Sequence, residues 1–160
     1  SEDCRYFNLW VPVTHEQDEV LFKYETLSNL HSPRSISYNS NAFKMSAGGA
    51  GGGQLKTSLI WFYGGSFSSG SANLAVYNGT VLAAFENLIV MTPNYRIGPF
   101  GFLYLNSSEA PGNAGLADQV LAIEWYKEHY LDYFGGLTSN ICLFGESAGA
   151  MALHYLLLSE

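Results

Sequence analysis

Apolar and polar positions divide this chain into blocks of two periods. Near the start, Tyr6, Asn8 and Trp10 alternate with Phe7, Leu9 and Val11 until Pro12, which predicts a strand. Two later runs are apolar without interruption: Leu59-Ile60-Trp61-Phe62-Tyr63, and Leu88-Ile89-Val90-Met91-Thr92 closed by Pro93. Continuous runs of this length suit strands covered on both faces of a mostly parallel sheet. A third, Asn140-Ile141-Cys142-Leu143-Phe144, has the same character. Between them the period changes. Thr80 to Phe85 reads as a short helix, and from Ala114 to Phe134 the apolar residues Leu116, Val120, Leu121, Ile123 and Trp125 recur at helical spacing. Gly135-Gly136 is placed as that helix's C-terminal cap. Ala148 to Leu158 is rich in Ala, Leu and Met and predicts a last helix. Strand, helix, strand, helix, strand, helix is an α/β order with parallel strands.

Residues 14–57 fit no period. They mix Glu, Asp, Ser, Asn and Pro and close on Gly48-Gly49-Ala50-Gly51-Gly52-Gly53, which predicts a flexible insertion. No Gly-Lys-Ser/Thr ends that tract, so it is not a phosphate cradle. The loops are read at Asn94 to Phe102, rich in Gly and aromatics, and onward through Asn113.

The chemistry concentrates where the last strand meets the last helix. Gly145-Glu146-Ser147-Ala148-Gly149 has the form Gly-x-Ser-x-Gly. Alone that pattern is common. Between a strand and a helix it is a nucleophile elbow, with Ser147 on a strained turn and small residues on either side. At the end of an earlier strand, Gly64-Gly65-Ser66-Phe67 offers bare backbone N–H groups for an oxyanion. Arg96 and Asp118 are read as a structural ion pair.

Composition narrows the classes further. The 160 residues are 48% hydrophobic and 15% aromatic, enough for a sizeable core. Lys and Arg total 7 against a net charge of −7, which leaves no basic stripe for nucleic acid. No apolar run is long enough to span a bilayer. Asn78-Gly79-Thr80 and Asn106-Ser107-Ser108 fit the N-glycosylation pattern and lean towards the secretory route. Cys142 is read as a buried free thiol inside its strand. The missing initial Met, and a helical pattern still running at the last residues, suggest a piece of a longer chain.

These blocks together resemble the type-B carboxylesterases of the α/β-hydrolase fold, and among them the cholinesterases, in an invertebrate form. The resemblance rests on Ser1-Glu2-Asp3-Cys4 with Tyr6 and Asn8, and on Trp61 to Phe67 with Ser69-Gly70-Ser71. It rests also on Tyr95-Arg96-Ile97-Gly98 with Phe100 to Leu103, on Glu109-Ala110-Pro111-Gly112-Asn113 with Asp118-Gln119, and on the elbow itself. It covers most of the chain outside residues 14–57, and implies that residues 1–160 form part of a single catalytic domain.

The resemblance implies Ser147 as nucleophile, and Gly65, Ser66 and Ala148 as donors of the oxyanion hole. It implies Glu146 and Tyr77 beside a choline-binding site, and Glu2, Arg96 and Asp118 in structural ion pairs. Cys4 would belong to a disulfide with a cysteine outside this chain. The implied substrate is a small ester, with a choline ester favoured, and no metal or organic cofactor is implied. An extracellular, synaptic setting follows, with membrane anchoring or oligomerisation left to regions outside the chain.

Three features depart from the family pattern. Ser66 stands where a third glycine is usual, Ser68 and Ala75 replace an aromatic and an acidic residue, and segment 14–57 is long. In this fold the acid and histidine follow the serine. His154 lies on the helix that Ser147 begins and is not expected to be the base; His15, His31 and His129 have no catalytic setting. The 160 residues alone are therefore expected to be inactive. A general type-B carboxylesterase and a catalytically silent adhesion protein are the alternatives.

Overall fold

The computed structural model describes residues 6–12, 21–26, 56–129 and 136–159. The elements are β1 (Tyr6–Val11), β2 (Leu21–Thr26), β3 (Lys56–Phe62), α1 (Thr80–Glu86), β4 (Ile89–Pro93), α2 (Gly98–Phe102), β5 (Tyr104–Ser107), β6 (Ala110–Pro111), α3 (Ala114–His129), β7 (Gly136–Gly145) and α4 (Ala148–Leu158). Among the described residues five strands form one sheet in the order β2-β1-β4-β3-β7, and β5 and β6 pair as a separate small ribbon.

Only the β4-β3-β7 half of the main sheet is parallel; β1 runs antiparallel to both β2 and β4. The parallel half carries the continuous apolar runs, since helices cover it. The antiparallel β1 makes the sheet mixed, and its direction is set by its long-range pairing with β4, where Asn8 lies opposite Thr92. The Asn8 amide nitrogen faces three acceptors: Thr92 Oγ1 at 3.1 Å, the Ala72 carbonyl at 3.2 Å and Asn73 Oδ1 at 3.0 Å. One buried polar side chain thus ties β1 to β4 and to the segment that follows β3.

Strand alternation sends side chains to two faces. Phe7, Leu9, Ile60, Phe62, Ile89 and Met91 join Ala122, Trp125 and Tyr126 of α3 in the main core. Phe7 packs on Trp125 with ring centroids 4.8 Å apart. On the opposite face Trp10 and Val90 close over Ala83 of α1. Ser58, buried at the foot of β3, shares a 2.6 Å hydrogen bond with the Tyr126 hydroxyl, so α3 is pinned to the sheet by a polar contact as well as by rings.

Several expectations are corrected. Residues 21–26 of the patternless segment form β2, and β3 begins at Lys56; the Gly tract lies outside the described residues. Gly136 opens β7 rather than capping α3, which is described to His129; residues 130–135 lie outside. The loop after β4 holds the one-turn α2 and the β5-β6 ribbon. Cys142 is exposed, not buried. Among the described residues β7 pairs only with β3, so Cys142 and Leu143 are left open on that strand. No helix among the described residues is long and apolar enough to cross a membrane.

Candidate active site

Ser147 sits between β7 and α4 with φ 53° and ψ −121°. A side chain with φ > 0 is strained, and such strain persists only where the surroundings impose it. Here the constraint is backbone crowding. Gly149 lies against the Phe62 carbonyl so closely that any side chain there would collide with the end of β3. A Cβ on Gly145 would meet Phe62 O at 2.8 Å and the Gly149 carbonyl carbon at 2.7 Å. The Glu146 N–H donates to Phe62 O at 3.4 Å, and the Gly149 N–H to Glu146 O at 2.9 Å. With no room to relax, the chain turns sharply and leaves Ser147 and Glu146 exposed at the sheet's C-terminal edge.

The loop after β3 comes to the same place. A Cβ on Gly64 would lie 2.9 Å from Ser147 Cβ and 2.6 Å from Glu146 Oε2. Beyond it Gly65, Ser66 and Phe67 have φ of 115°, 55° and 60°. The Gly65 carbonyl accepts from the N–H groups of Ser68 and Ser69, both at 3.0 Å. The N–H groups of Gly65, Ser66 and Ala148 donate to no acceptor among the described residues. Ala148, buried, is the first residue of α4, where helix N–H groups point outward and favour negative charge.

Two aromatic networks support this edge. Tyr63 and Tyr95 stack at 4.5 Å and exchange hydrogen bonds, each hydroxyl donating to the other's carbonyl. Burial, with the neighbouring Tyr63 and Tyr77 hydroxyls, pushes the Tyr95 hydroxyl well above the usual tyrosine range. Trp61 lies between Tyr77 at 5.4 Å and Phe144 at 4.9 Å. Tyr77 therefore reaches the elbow strand through Trp61, with no described contact to Ser147.

Arg96 and Asp118 are joined on two sides: Nε donates to Oδ2 at 2.7 Å and an NH2 group to Oδ1 at 2.8 Å. The Arg96 backbone N–H adds a third bond to Oδ2 at 3.0 Å. The bond to Asp118 holds the guanidinium pKa above its usual value against the opposing effect of burial. This pair fastens the loop after β4 to α3 and stands apart from Ser147.

Of the histidines, His129 Nδ1 faces the Trp125 carbonyl at 3.1 Å and its ring stacks on Trp125. His154 is exposed, with Nδ1 3.4 Å from the Ala150 carbonyl. Neither is bonded to Ser147. His15, His31, Glu2 and Cys4 lie outside the described residues. Asn78 and Asn106 are both exposed, with Asn78 Oδ1 accepting from Thr80 N–H and Asn106 Oδ1 from the Tyr104 hydroxyl. A groove of about 600 Å³ is lined by Tyr6, Asn8, Trp10, Asn78 and residues 72–75, away from the elbow. Among the described residues no three His, Cys, Asp or Glu side chains converge to hold a metal ion.

The model of the carboxylesterase family matches residues 1–160. The chain belongs to the carboxylesterase family. Its fold is therefore that of the α/β hydrolases, with the mixed sheet above as the part described. An acetylcholinesterase of Danio rerio is 41% identical over 160 residues, 99% of this chain and 19% of that protein. Acetylcholinesterase 1 of Caenorhabditis briggsae is 53% identical over 102 residues, 64% of this chain and 16% of that one. Cholinesterase 2 of Branchiostoma lanceolatum is 54% identical over 103 residues, 64% of the chain and 30% of that one. The chain thus spans under a third of the length of these relatives.

The sequence pointed to Ser147, Gly65, Ser66 and Ala148 as site residues, but not to the packing of Gly64 on Ser147 or of Phe67 on Phe102 and Tyr155. Gly64 had a local signal, a glycine directly at a strand's end. Phe67 had none, because its partners are distant in the chain.

Proposed function

We propose that these residues are the nucleophile-bearing part of a serine esterase that cleaves acetylcholine to choline and acetate. The observation that carries the reading is the strained Ser147 set against Gly64, with N–H groups of Gly65, Ser66 and Ala148 left without acceptors among the described residues. Ser147 Oγ attacks the ester carbonyl while a histidine, oriented by an acid and supplied by the rest of a longer polypeptide, takes its proton. The carbonyl oxygen becomes an oxyanion and accepts from those three N–H groups. The same histidine protonates the leaving choline, and the bond to it breaks. Water, losing a proton to that histidine, then releases acetate and restores Ser147.

Glu146, exposed beside Ser147, gives the cationic choline group a negative partner, and Tyr77 contributes an aromatic wall. The names of the relatives support the choline ester. Ser68 and Ala75, where the family pattern has an aromatic and an acidic residue, favour a second reading, a carboxylesterase for neutral esters. We place the protein outside the cell, glycosylated at Asn78 and Asn106, with Cys4 in a disulfide.

Turnover of acetylthiocholine against naphthyl acetate by the full-length polypeptide, with and without an irreversible serine-esterase inhibitor, tests this. Inhibitor-sensitive preference for the choline ester is expected. Preference for the neutral ester selects the second reading, and no turnover by folded protein refutes both.

A further inference from the structure

Gly65, Ser66 and Phe67 are three successive residues in left-handed backbone. Glycine adopts it freely; Ser66 and Phe67 do so against their own preference, and only their surroundings can hold them there. The bonds that the Gly65 carbonyl accepts from the N–H and hydroxyl groups of Ser68 and Ser69 fix the shape of this turn. They do not fix its place on the molecule.

At one end Gly64 packs on Ser147, and at the other the turn is anchored at Phe67. The Phe67 carbonyl accepts from the Gly98 N–H at 2.6 Å, and its ring meets Phe102 edge-on at 5.0 Å. Gly98 and Phe102 are the two ends of α2. Phe67 also lies nearly parallel to Tyr155, at 6.4 Å and 23°. Both separations fall within the range of attractive aromatic pairs. Tyr155 is carried by α4, about two turns beyond Ser147 on the helix that the serine begins. It is 53% exposed, so it is not there to fill the core.

We propose that Phe67 is a positioning residue for the ester chemistry. Held by Phe102 and by Tyr155, it keeps the N–H groups of Gly65 and Ser66 at a fixed separation from Ser147. The proposal rests on the reading of Ser147 as nucleophile. Separation matters because donors aimed at an oxyanion act only within a narrow distance, and a misplacement of about 1 Å costs on the order of 100-fold in rate.

The test uses the full-length polypeptide, naphthyl acetate as substrate and a trifluoromethyl ketone as tetrahedral probe. Phe67→Leu keeps apolar bulk but loses the flat ring. Tyr155→Ala removes one partner from an exposed site, where loss of folding is not a concern. The expected result is a fall in kcat of about 100-fold for Phe67→Leu and about 10-fold for Tyr155→Ala, with KM within about twofold. Affinity for the ketone falls with kcat, and Tyr155→Phe, which keeps the ring, restores both. The double variant is no slower than Phe67→Leu, since both act through one contact. Unchanged kcat in an active parent protein overturns the proposal alone. So does a loss that follows thermal stability and is not restored by Tyr155→Phe. A parent protein with no inhibitor-sensitive turnover overturns the reading of Ser147 and this proposal together.

Discussion

Gly64 and Ser147 meet so closely that a methyl group on the glycine would lie 2.9 Å from the serine Cβ. Two loops far apart in sequence thus share one small volume at the edge of the sheet, and neither can take a larger residue. Gly64→Ala should push the loop off the elbow and destabilise the protein by about 1–3 kcal/mol, as overpacking does. Gly149→Ala, which strikes the Phe62 backbone, should cost more. Denaturant midpoints check this; unchanged midpoints would contradict it.

The Arg96–Asp118 pair sets a second expectation. Asp118 is buried, with its side chain 3% exposed, while Arg96 keeps 36% in water. Removing the carboxylate therefore leaves a cation that solvent can partly hydrate. Asp118→Asn should cost about 2 kcal/mol, below the about 3–5 kcal/mol typical of breaking a fully buried pair. Urea unfolding measures it. A variant as stable as the parent protein would show that the pair contributes little.

Tyr126 and Ser58 form a buried hydroxyl pair, so losing one partner should be worse than losing both. Tyr126→Phe strands the Ser58 hydroxyl at a cost of about 1–2 kcal/mol, and adding Ser58→Ala should recover part of it. The same burial raises the Tyr126 pKa, against a smaller lowering by the Ser58 bond. The folded pKa lies above the unfolded one, so this contribution is complete below about pH 10 and is lost as pH rises through the folded value. Parent and Tyr126→Phe proteins should converge in stability above that pH. The comparison also removes Lys56, whose pKa burial lowers and which acts in the opposite sense. A stability gap that stays constant through pH 11 would contradict the assignment.

Ser66 adds a side chain where the family pattern has glycine, next to the proposed nucleophile. In the full-length enzyme Ser66→Gly should react faster with bulky organophosphate-type inhibitors while changing acetyl ester turnover little. With φ at 55°, glycine suits the backbone, so no stability should be lost. Equal inhibition rates for the two proteins would contradict the crowding argument.

The sequence announced elements that local pattern can specify. The continuous apolar runs of β3, β4 and β7 needed no partner to be recognised, and the Ala- and Leu-rich run of α4 fixed the setting of Ser147. Elements determined elsewhere were silent. The direction of β1 depends on pairing with β4 some 80 residues later, which no local period encodes. α2 has five residues and β6 two, too few to show a period at all. Cys142 sits in an apolar run, yet its burial depends on what lies beside β7. The Phe67–Tyr155 contact joins residues whose neighbours give no sign of each other.

Ser147 as the nucleophile of an esterase can be labelled directly. The full-length polypeptide treated with a fluorophosphonate and digested for peptide mass spectrometry tests this role most directly. One adduct is expected, on the peptide holding Gly145-Glu146-Ser147-Ala148-Gly149, formed as ester turnover is lost and absent in Ser147→Ala. Folded protein that stays unlabelled, or an adduct on another residue with Ser147 untouched, would contradict it.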